Sequence, residues 1–440
     1  MIHNLYSFIK NKFINNNTNK PIFLNILWLF FDNIIKIVGG LIIGILVARY
    51  FGPSDFGTYN YAISIVSFFM VFSSLGLDNV VIREIINQKE LSNEILGSAF
   101  VLKYLACLVS FSILISYIAF SDGFIKNVEL FVAIVASCMF FQAFDTLSFL
   151  FKANLQSKYV VIVTNVAYVF VLFLKLVVVY FGCSLYALSW TVPIESFIVA
   201  LGFIFSYLHN KFSYKNWIFN KRTAIRLLKD SWPIMLTNLS IMTYMRIDQI
   251  MIGSMLGVKE VGIYSAAIKL AELFYFIPNI IVSSFFPDVV NLYKINIDLF
   301  YSKLQKLYNL MAFLSYTIII LSTVFARQVI NMLFGKDYND AYLILLILIW
   351  SMLWVYLSFV RSIFLNTVNW PKIYFFLAII GSVTNVALNI VFIPLFGLYG
   401  AAWASLISYF FAGFLSCFIY RPLFKNGFMM AKALIKPKFW

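Results

Sequence analysis

The sequence predicts an all-α integral membrane protein of about twelve transmembrane helices in two pseudo-symmetric six-helix bundles. Three observations lead there. First, 62% of the 440 residues are hydrophobic and only 12% are charged, against about 45–50% and about 25% in soluble chains. Second, the mean hydropathy is +0.90 over the whole chain, and apolar runs long enough to span a bilayer follow one another from end to end. Third, strings from the first half return, in order, in the second.

The predicted spans are 22–50, 56–77, 95–120, 128–151, 159–181, 184–208, 231–256, 261–287, 304–332, 341–366, 371–394 and 398–420. Lipid leaves exposed backbone groups unsatisfied, so each must be a helix. The longest polar stretch, HNKFSYKNWIFNKRTAIRLLKD (209–230), divides six spans from six. It is expected to be a cytoplasmic linker, with an amphipathic segment around Ile225–Leu228 lying on the membrane. The organisation is therefore an N-terminal lobe (1–208), the linker (209–230), a C-terminal lobe (231–420) and a basic cytoplasmic tail (421–440). Cytosolic enzymes, disulfide scaffolds, disordered chains and outer-membrane barrels are excluded by this pattern. The polar, Asn/Lys-rich first 20 residues do not read as a cleavable signal peptide.

The net charge of +15 reads as topology rather than nucleic-acid binding, because no soluble domain collects the bases. With the N-terminus inside, 22 bases fall on the cytoplasmic side, among them Lys10, Lys12, Arg83, Lys152, Arg222, Arg226, Lys306 and Lys438. Five fall outside: Arg49, Lys126, Lys259, Arg327 and Lys336. That bias places both termini in the cytoplasm, with anionic lipid headgroups as one partner. Cys107, Cys138, Cys183 and Cys417 form no C-x-x-C pair, and His3 and His209 lie far apart. Neither a metal nor a cofactor is expected.

The repeats are specific. FGPSDFGTYNYA (51–62) aligns with LGVKEVGIYSAA (256–267), matching Gly52 to Gly257, Gly57 to Gly262 and Tyr59 to Tyr264. YFGCSLYALSW (180–190) echoes LFGLYGAAWAS (395–405), and VTNVA occurs at 163–167 and 383–387. With six spans per half, these are parallel repeats about an axis along the membrane normal.

Charges inside spans are costly and mark candidate sites. Asp32 and Lys36, at i,i+4, can pair on one helix face, and so can Lys269 and Glu272 at i,i+3. Arg246 and Asp248, at i,i+2, point apart and must find partners elsewhere. Arg246 is the leading candidate for a diphosphate or acidic-sugar contact, because guanidinium meets phosphate oxygens bidentately. Asp248, Lys269, Lys36 and Arg49 complete the substrate-binding candidates. Asp145, Glu195, Asp32 and Glu272 are the candidate proton carriers, with packing by a salt bridge as the alternative for each. Lys103, Lys175 and Arg361 lie nearer span ends, where snorkelling to headgroups is expected. Pro193, Pro233, Pro278 and Pro287 should kink their helices. Gly39, Gly40 and Gly44 should let helices approach closely. Asn385 and Asn389, one turn apart, should bond between helices.

ARYFGPSDFGTYNYA, SSLGLDNVVIREI (73–85), YMRIDQIMIGSMLGVKEVGIYSAAIKLAELFYFIPNIIVSSFFPDV (244–289) and PLFGLYGAAWAS (394–405) together resemble the polysaccharide transporter family. O-antigen flippases of the Wzx type are the nearest likeness. The resemblance implies the fold of the multidrug-and-toxin extruders, two six-helix lobes around a V-shaped cavity. It implies translocation of undecaprenyl-diphosphate-linked oligosaccharide across the bacterial inner membrane by alternating access. It also implies a polysaccharide polymerase and a chain-length regulator as partners. Two other readings stay open. One is a cation-coupled small-molecule exporter or lipid II flippase of the same superfamily. The other is a polytopic O-antigen polymerase, which should carry a long external loop with catalytic-type residues. The stretches near 121–128 and 333–341 are short and lack histidine. The chain contains no phosphate-binding G-x-x-x-x-G-K-[ST] string, so energy comes from an ion, potential or substrate gradient.

Overall fold

A computed structural model describes residues 20–120 and 128–437. His3, Lys10, Lys12, Asp122, Lys126 and Lys438 lie outside the described residues. The helices are α1 (Lys20–Ser74), α2 (Leu77–Asn87), α3 (Ser92–Phe120), α4 (Glu129–Ala136), α5 (Met139–Gln142), α6 (Thr146–Ala153), α7 (Ser157–Tyr180), α8 (Leu185–His209), α9 (Lys221–Met255), α10 (Val258–Leu273), α11 (Phe276–Ile295), α12 (Ile297–Leu333), α13 (Ala341–Thr367), α14 (Pro371–Gly413) and α15 (Phe424–Ile435).

Among the described residues, nine helical stretches are long and apolar enough to cross a membrane. Two of them, Ile35–Asn87 with 53 residues and Pro371–Phe418 with 48, exceed twice the ~30 Å hydrocarbon thickness at about 1.5 Å per residue. Each is broken by a glycine with a left-handed φ, Gly52 at 70° and Gly397 at 58°, so each supplies two limbs. Counting limbs separately gives eleven among the described residues; the seventh predicted span falls in α9, which is not one of the nine. The repeat has a backbone signature. Gly257, the counterpart of Gly52, has φ 117°, and Gly182, the counterpart of Gly397, has φ 66°. L-residues with side chains seldom adopt this region, so glycine marks the same turn in both halves.

The described chain forms two compact units. Of the described residues, the first comprises 20–44, 69–120 and 129–235; the second comprises 45–68, 128 and 236–437. The second therefore draws on 45–68, which the sequence places in the first lobe.

In the first unit, Leu77, Val81, Ile95, Leu96, Phe151 and Leu227 form a closed core. The predicted fourth span is not one helix but α4, α5 and α6. Ser137 and Thr146 hydroxyls donate back to the Ile134 and Ala143 carbonyls, offering the backbone an alternative to the helical ladder. The Gln142 amide donates 3.3 Å to the Met70 carbonyl. Segment 209–230 is also not a free amphipathic tether. Asn220 N–H donates to Ser98 Oγ at 3.1 Å and Ile218 N–H to the Asn93 carbonyl at 3.5 Å. From Lys221 onward it is the first turns of α9. There Arg226 reaches Glu84 at 3.6 Å and Asp230 meets Arg83 at 2.6 Å. Gly39 and Gly40 sit against Leu172 and Tyr168 of α7, with no room for a Cβ.

In the second unit, α13 is the most enclosed element, with 61% of its apolar window buried; it packs against α10, α11, α12 and α14. Apolar burial against lipid-like tails drives little association, so close backbone approach and polar bonds carry more of the packing. The tightest approach joins the second limb of α1 to α10. A Cβ on Gly57 would lie 1.7 Å from the Val258 carbonyl oxygen, and one on Gly262 would lie 1.9 Å from that of Pro53. These four residues are matched pairs of the repeat, so the contact is reciprocal. The Tyr338 hydroxyl donates 2.8 Å to the Ala48 carbonyl, in the last turn before the Gly52 break. Tyr356 does the same for the Phe274 carbonyl at the break between α10 and α11. Both bonds occupy carbonyls near a helix end, where intrahelical partners run out. Pro193, Pro233 and Pro287 lie inside helices. Pro278 instead falls in the first turn of α11, where a missing N–H costs little. The expected tail is helix α15, seated on α12 through Tyr308–Asn426 at 2.9 Å and Gln305–Met429 at 3.0 Å.

Gly57→Ala is expected to destabilise the protein by about 1–3 kcal/mol, because the obstacle is backbone. Thermal unfolding of the detergent-solubilised chain checks this; a wild-type midpoint would mean the crossing is not tight.

Candidate functional site

Each unit holds an intramembrane carboxylate network that includes an asparagine of the repeated VTNVA string. In the first, Asp32 pairs with Lys36 at 2.8 Å on α1. Asn165 Nδ2 donates to Asp32 at 3.0 Å and Thr164 Oγ1 at 3.3 Å, while the Tyr168 hydroxyl donates 2.8 Å to the Lys36 carbonyl. Thr164 and Asn165 belong to the first VTNVA string. The predicted pair is therefore present, tied to α7. Glu195 lies on α8, partly buried.

In the second unit the network centres on Asp248 of α9, which is 3% exposed. Tyr264 OH donates to it at 2.8 Å and Asn389 Nδ2 at 2.6 Å, and the Ser405 hydroxyl donates as well. Asn389 also bonds Asn385, of the second VTNVA string, at 3.2 Å. Where the first unit has a base one turn on, at Lys36, the second has Ile252, fully buried. Among the described residues no base lies within ion-pair distance of Asp248. The carboxylate is surrounded by neutral oxygen and amide groups, and the Asn389 Oδ1 beside it is buried without a hydrogen-bond partner.

Arg246 and Asp248 point apart, as their spacing requires. Arg246 pairs with Glu272 of α10 at 3.5 Å, each about three-tenths exposed. Glu272, expected to pair with Lys269, is thus reached by the arginine from α9, and Lys269 Nζ lies 5.1 Å over the Phe56 ring. Arg49 Nη2 donates 2.8 Å to the Met332 carbonyl at the end of α12, a favourable place for a cation. Asp145 lies in the turn before α6, partly buried.

Two expected snorkelling residues are buried instead. Lys103 is 1% exposed, 3.6 Å from Asp78 and 4.9 Å over the Phe149 ring. Arg361 is 5% exposed, its Nη1 donating to the Ala412 and Gly413 carbonyls at 2.8 and 2.9 Å. Each has a local counter-charge or helix end that a headgroup would otherwise provide. Tyr264 and Ser405 join the site although, inside the repeated strings, nothing in their residue type or spacing marks them as site residues.

The fold and its paired halves define a class: helical transporters of the multidrug, oligosaccharidyl-lipid and polysaccharide exporter superfamily. Within it, the chain belongs to the polysaccharide biosynthesis protein family, whose model matches residues 22–292. The MatE model matches 233–391. The capsular polysaccharide biosynthesis protein CapF of Staphylococcus aureus is 24% identical over 91% of this chain and 99% of its own. The probable flippase AglR of Haloferax volcanii is 28% identical over 53% of this chain and 49% of its own. Among solved structures, an inward-facing MATE-family multidrug transporter superposes with TM-score 0.75 at 14% identity, over 94% of this chain and 99% of that one. The lipid II flippase MurJ, inward closed, superposes with TM-score 0.74 at 17% identity, over 94% and 91%.

A double-mutant cycle of Asp32→Asn and Lys36→Met, read by thermal unfolding, is expected to return a coupling of about 1 kcal/mol. Additive effects would dissolve the pair.

Proposed function

We propose that the chain flips undecaprenyl-diphosphate-linked oligosaccharide units, of O-antigen or another surface polysaccharide, from the cytoplasmic to the outer face of the bacterial inner membrane, with both termini cytoplasmic. The full-length match to CapF and the family model support the polysaccharide cargo. The bias of Lys and Arg supports the orientation.

Asp248 is the proposed coupling site, and its base-free surroundings carry that reading. A carboxylate already paired with a lysine, such as Asp32, gains little from a further cation. One held by neutral donors inside a membrane must be neutralised from outside, by a proton or a small hard cation matched to oxygen ligands. Tyr264, Asn389 and Ser405 come from α10 and both limbs of α14, so filling or emptying the site bears on how those helices pack. Arg246, with a single long contact to Glu272, keeps guanidinium nitrogens for a cargo phosphate. A second reading, cation-coupled export of a small molecule, is favoured by the MatE match across 233–391, which contains Asp248.

In cells relying on this chain for surface polysaccharide, Asp248→Asn is expected to cut surface polysaccharide at least about tenfold, a loss of ~1.4 kcal/mol in driving or barrier terms. Lipid-linked units should accumulate inside, at unchanged protein level. Normal polysaccharide would remove Asp248 from coupling. Absence of lipid-linked units on deletion of the gene would favour the small-molecule reading.

A further inference from the structure

We infer that α15 is a binding surface for the anionic phospholipid face of the membrane, with three lysines on headgroup phosphates and an apolar ridge beside them in the acyl region. In the orientation proposed above, that face is the cytoplasmic leaflet. The helix divides into three stripes. Asn426, Met429, Met430 and Ala433 are buried. This stripe faces α12, where Tyr308 donates to Asn426 at 2.9 Å, and Gln305 and Tyr316 donate to the Met429 and Leu434 carbonyls at 3.0 and 3.4 Å. Phe424, Phe428 and Ile435, at i, i+4 and i+11, form an outward stripe, 38%, 65% and 78% exposed. Lys425, Lys432 and Lys436, at i, i+7 and i+11, are also exposed. At about 100° per residue their stripe stands between the other two.

Charge identifies the occupant first. From Ala341 to Trp440 the chain carries seven bases and no Asp or Glu, so the lysine stripe meets no acid from its own segment. Lys425 Nζ lies 3.2 Å over the Tyr301 ring, a contact that holds the cation without neutralising it. Depth points the same way. Gln305, Tyr308 and Tyr316 lie in the first turns of the span expected at 304–332, so α15 is fixed at the level where that span enters the bilayer. Headgroup phosphates stand at this level.

The pairing of the two outer stripes excludes a uniform environment. In water, two large side chains would stand about two-thirds or more exposed in line on one face. In hydrocarbon, three ammonium groups would go unpaired. An anionic interface satisfies both stripes at once, and each lysine close to it adds attraction. An acidic protein would satisfy the lysines alone. Because the buried stripe is hydrogen-bonded to α12, lipid held on the outer stripes steadies that end of α12 as well as α15.

The test is hydrogen–deuterium exchange of the purified full chain in nanodiscs of phosphatidylcholine alone, or with about 30% phosphatidylglycerol. Backbone amides of 424–435 are expected to exchange about fivefold more slowly with phosphatidylglycerol. Salt at about 0.5 M should remove the gain. Lys425→Gln, Lys432→Gln and Lys436→Gln made together should abolish it, and Phe428→Ser should at least halve it. Both variants alter exposed side chains, and wild-type exchange in α13 confirms their fold. Equal exchange in the two lipids, or a gain that persists in full in either variant, would overturn the surface. So would an equal gain in phosphatidylcholine discs from glycerol phosphate (a free-phosphate site) or from polyglutamate (an acidic-protein dock). Nanodiscs present the same lipid on both faces and carry no cargo, so the outcome is independent of the flippase reading and of orientation.

Discussion

A hydrocarbon core offers a polar group no water, so every charge and every carbonyl at a helix break must find its partner inside the protein. The unusual features of this chain follow from that. Arg49 and Arg361 end helices, at Met332 and at Ala412–Gly413. Tyr338 and Tyr356 reach carbonyls beside breaks. Side chains that a soluble protein would leave in solvent act here as the solvent for other segments. Many of the intramembrane charges among the described residues are therefore spoken for, and Asp248 stands out as a carboxylate held by neutral donors alone.

The two halves show how function grows out of that constraint. Both place a carboxylate on the first helix of the half and an asparagine string opposite it. In one half the lysine one turn on closes the charge balance. In the other the carboxylate sits at a different level of the helix: in the register that matches Gly52 to Gly257, Asp32 falls on Thr237 and Lys36 on Ile241, while Asp248 falls on Ile43, and no base stands one turn on from Asp248. The two halves thus carry differently placed polar networks on a shared plan, one closed by a lysine and one held by neutral donors, while glycines with a left-handed φ recur at 52 and 257 and at 182 and 397.

Much of this was legible in the sequence. Hydropathy gives the spans, because lipid imposes length and polarity on each one separately. The i,i+4 spacing gives Asp32–Lys36, and the i,i+2 spacing shows that Arg246 and Asp248 need outside partners. What the spacing could not give is which helix supplies them. Glu272 could serve Lys269 or Arg246, and only the approach of α9 to α10 decides. Lys103 and Arg361 look like interfacial bases because depth along a helix says nothing about the acid or helix end waiting beside it. Tyr264 and Ser405 were visible as repeats, but a repeat reports shared architecture, and their role arises where strings from different helices converge on Asp248.

The crossing at Gly57 and Gly262 has a consequence for how the duplicated halves can diverge. Where a glycine faces only a side chain, as Gly202 faces Val163 or Gly253 faces Tyr61, a larger residue can be accommodated by a smaller one opposite. Here the obstacle to each glycine is the other half's main-chain carbonyl, at Val258 or Pro53, and no substitution deletes a carbonyl. Loss of either glycine therefore has no second-site suppressor at the contact, and the two copies remain bound to the same residue however far the rest of their sequences drift.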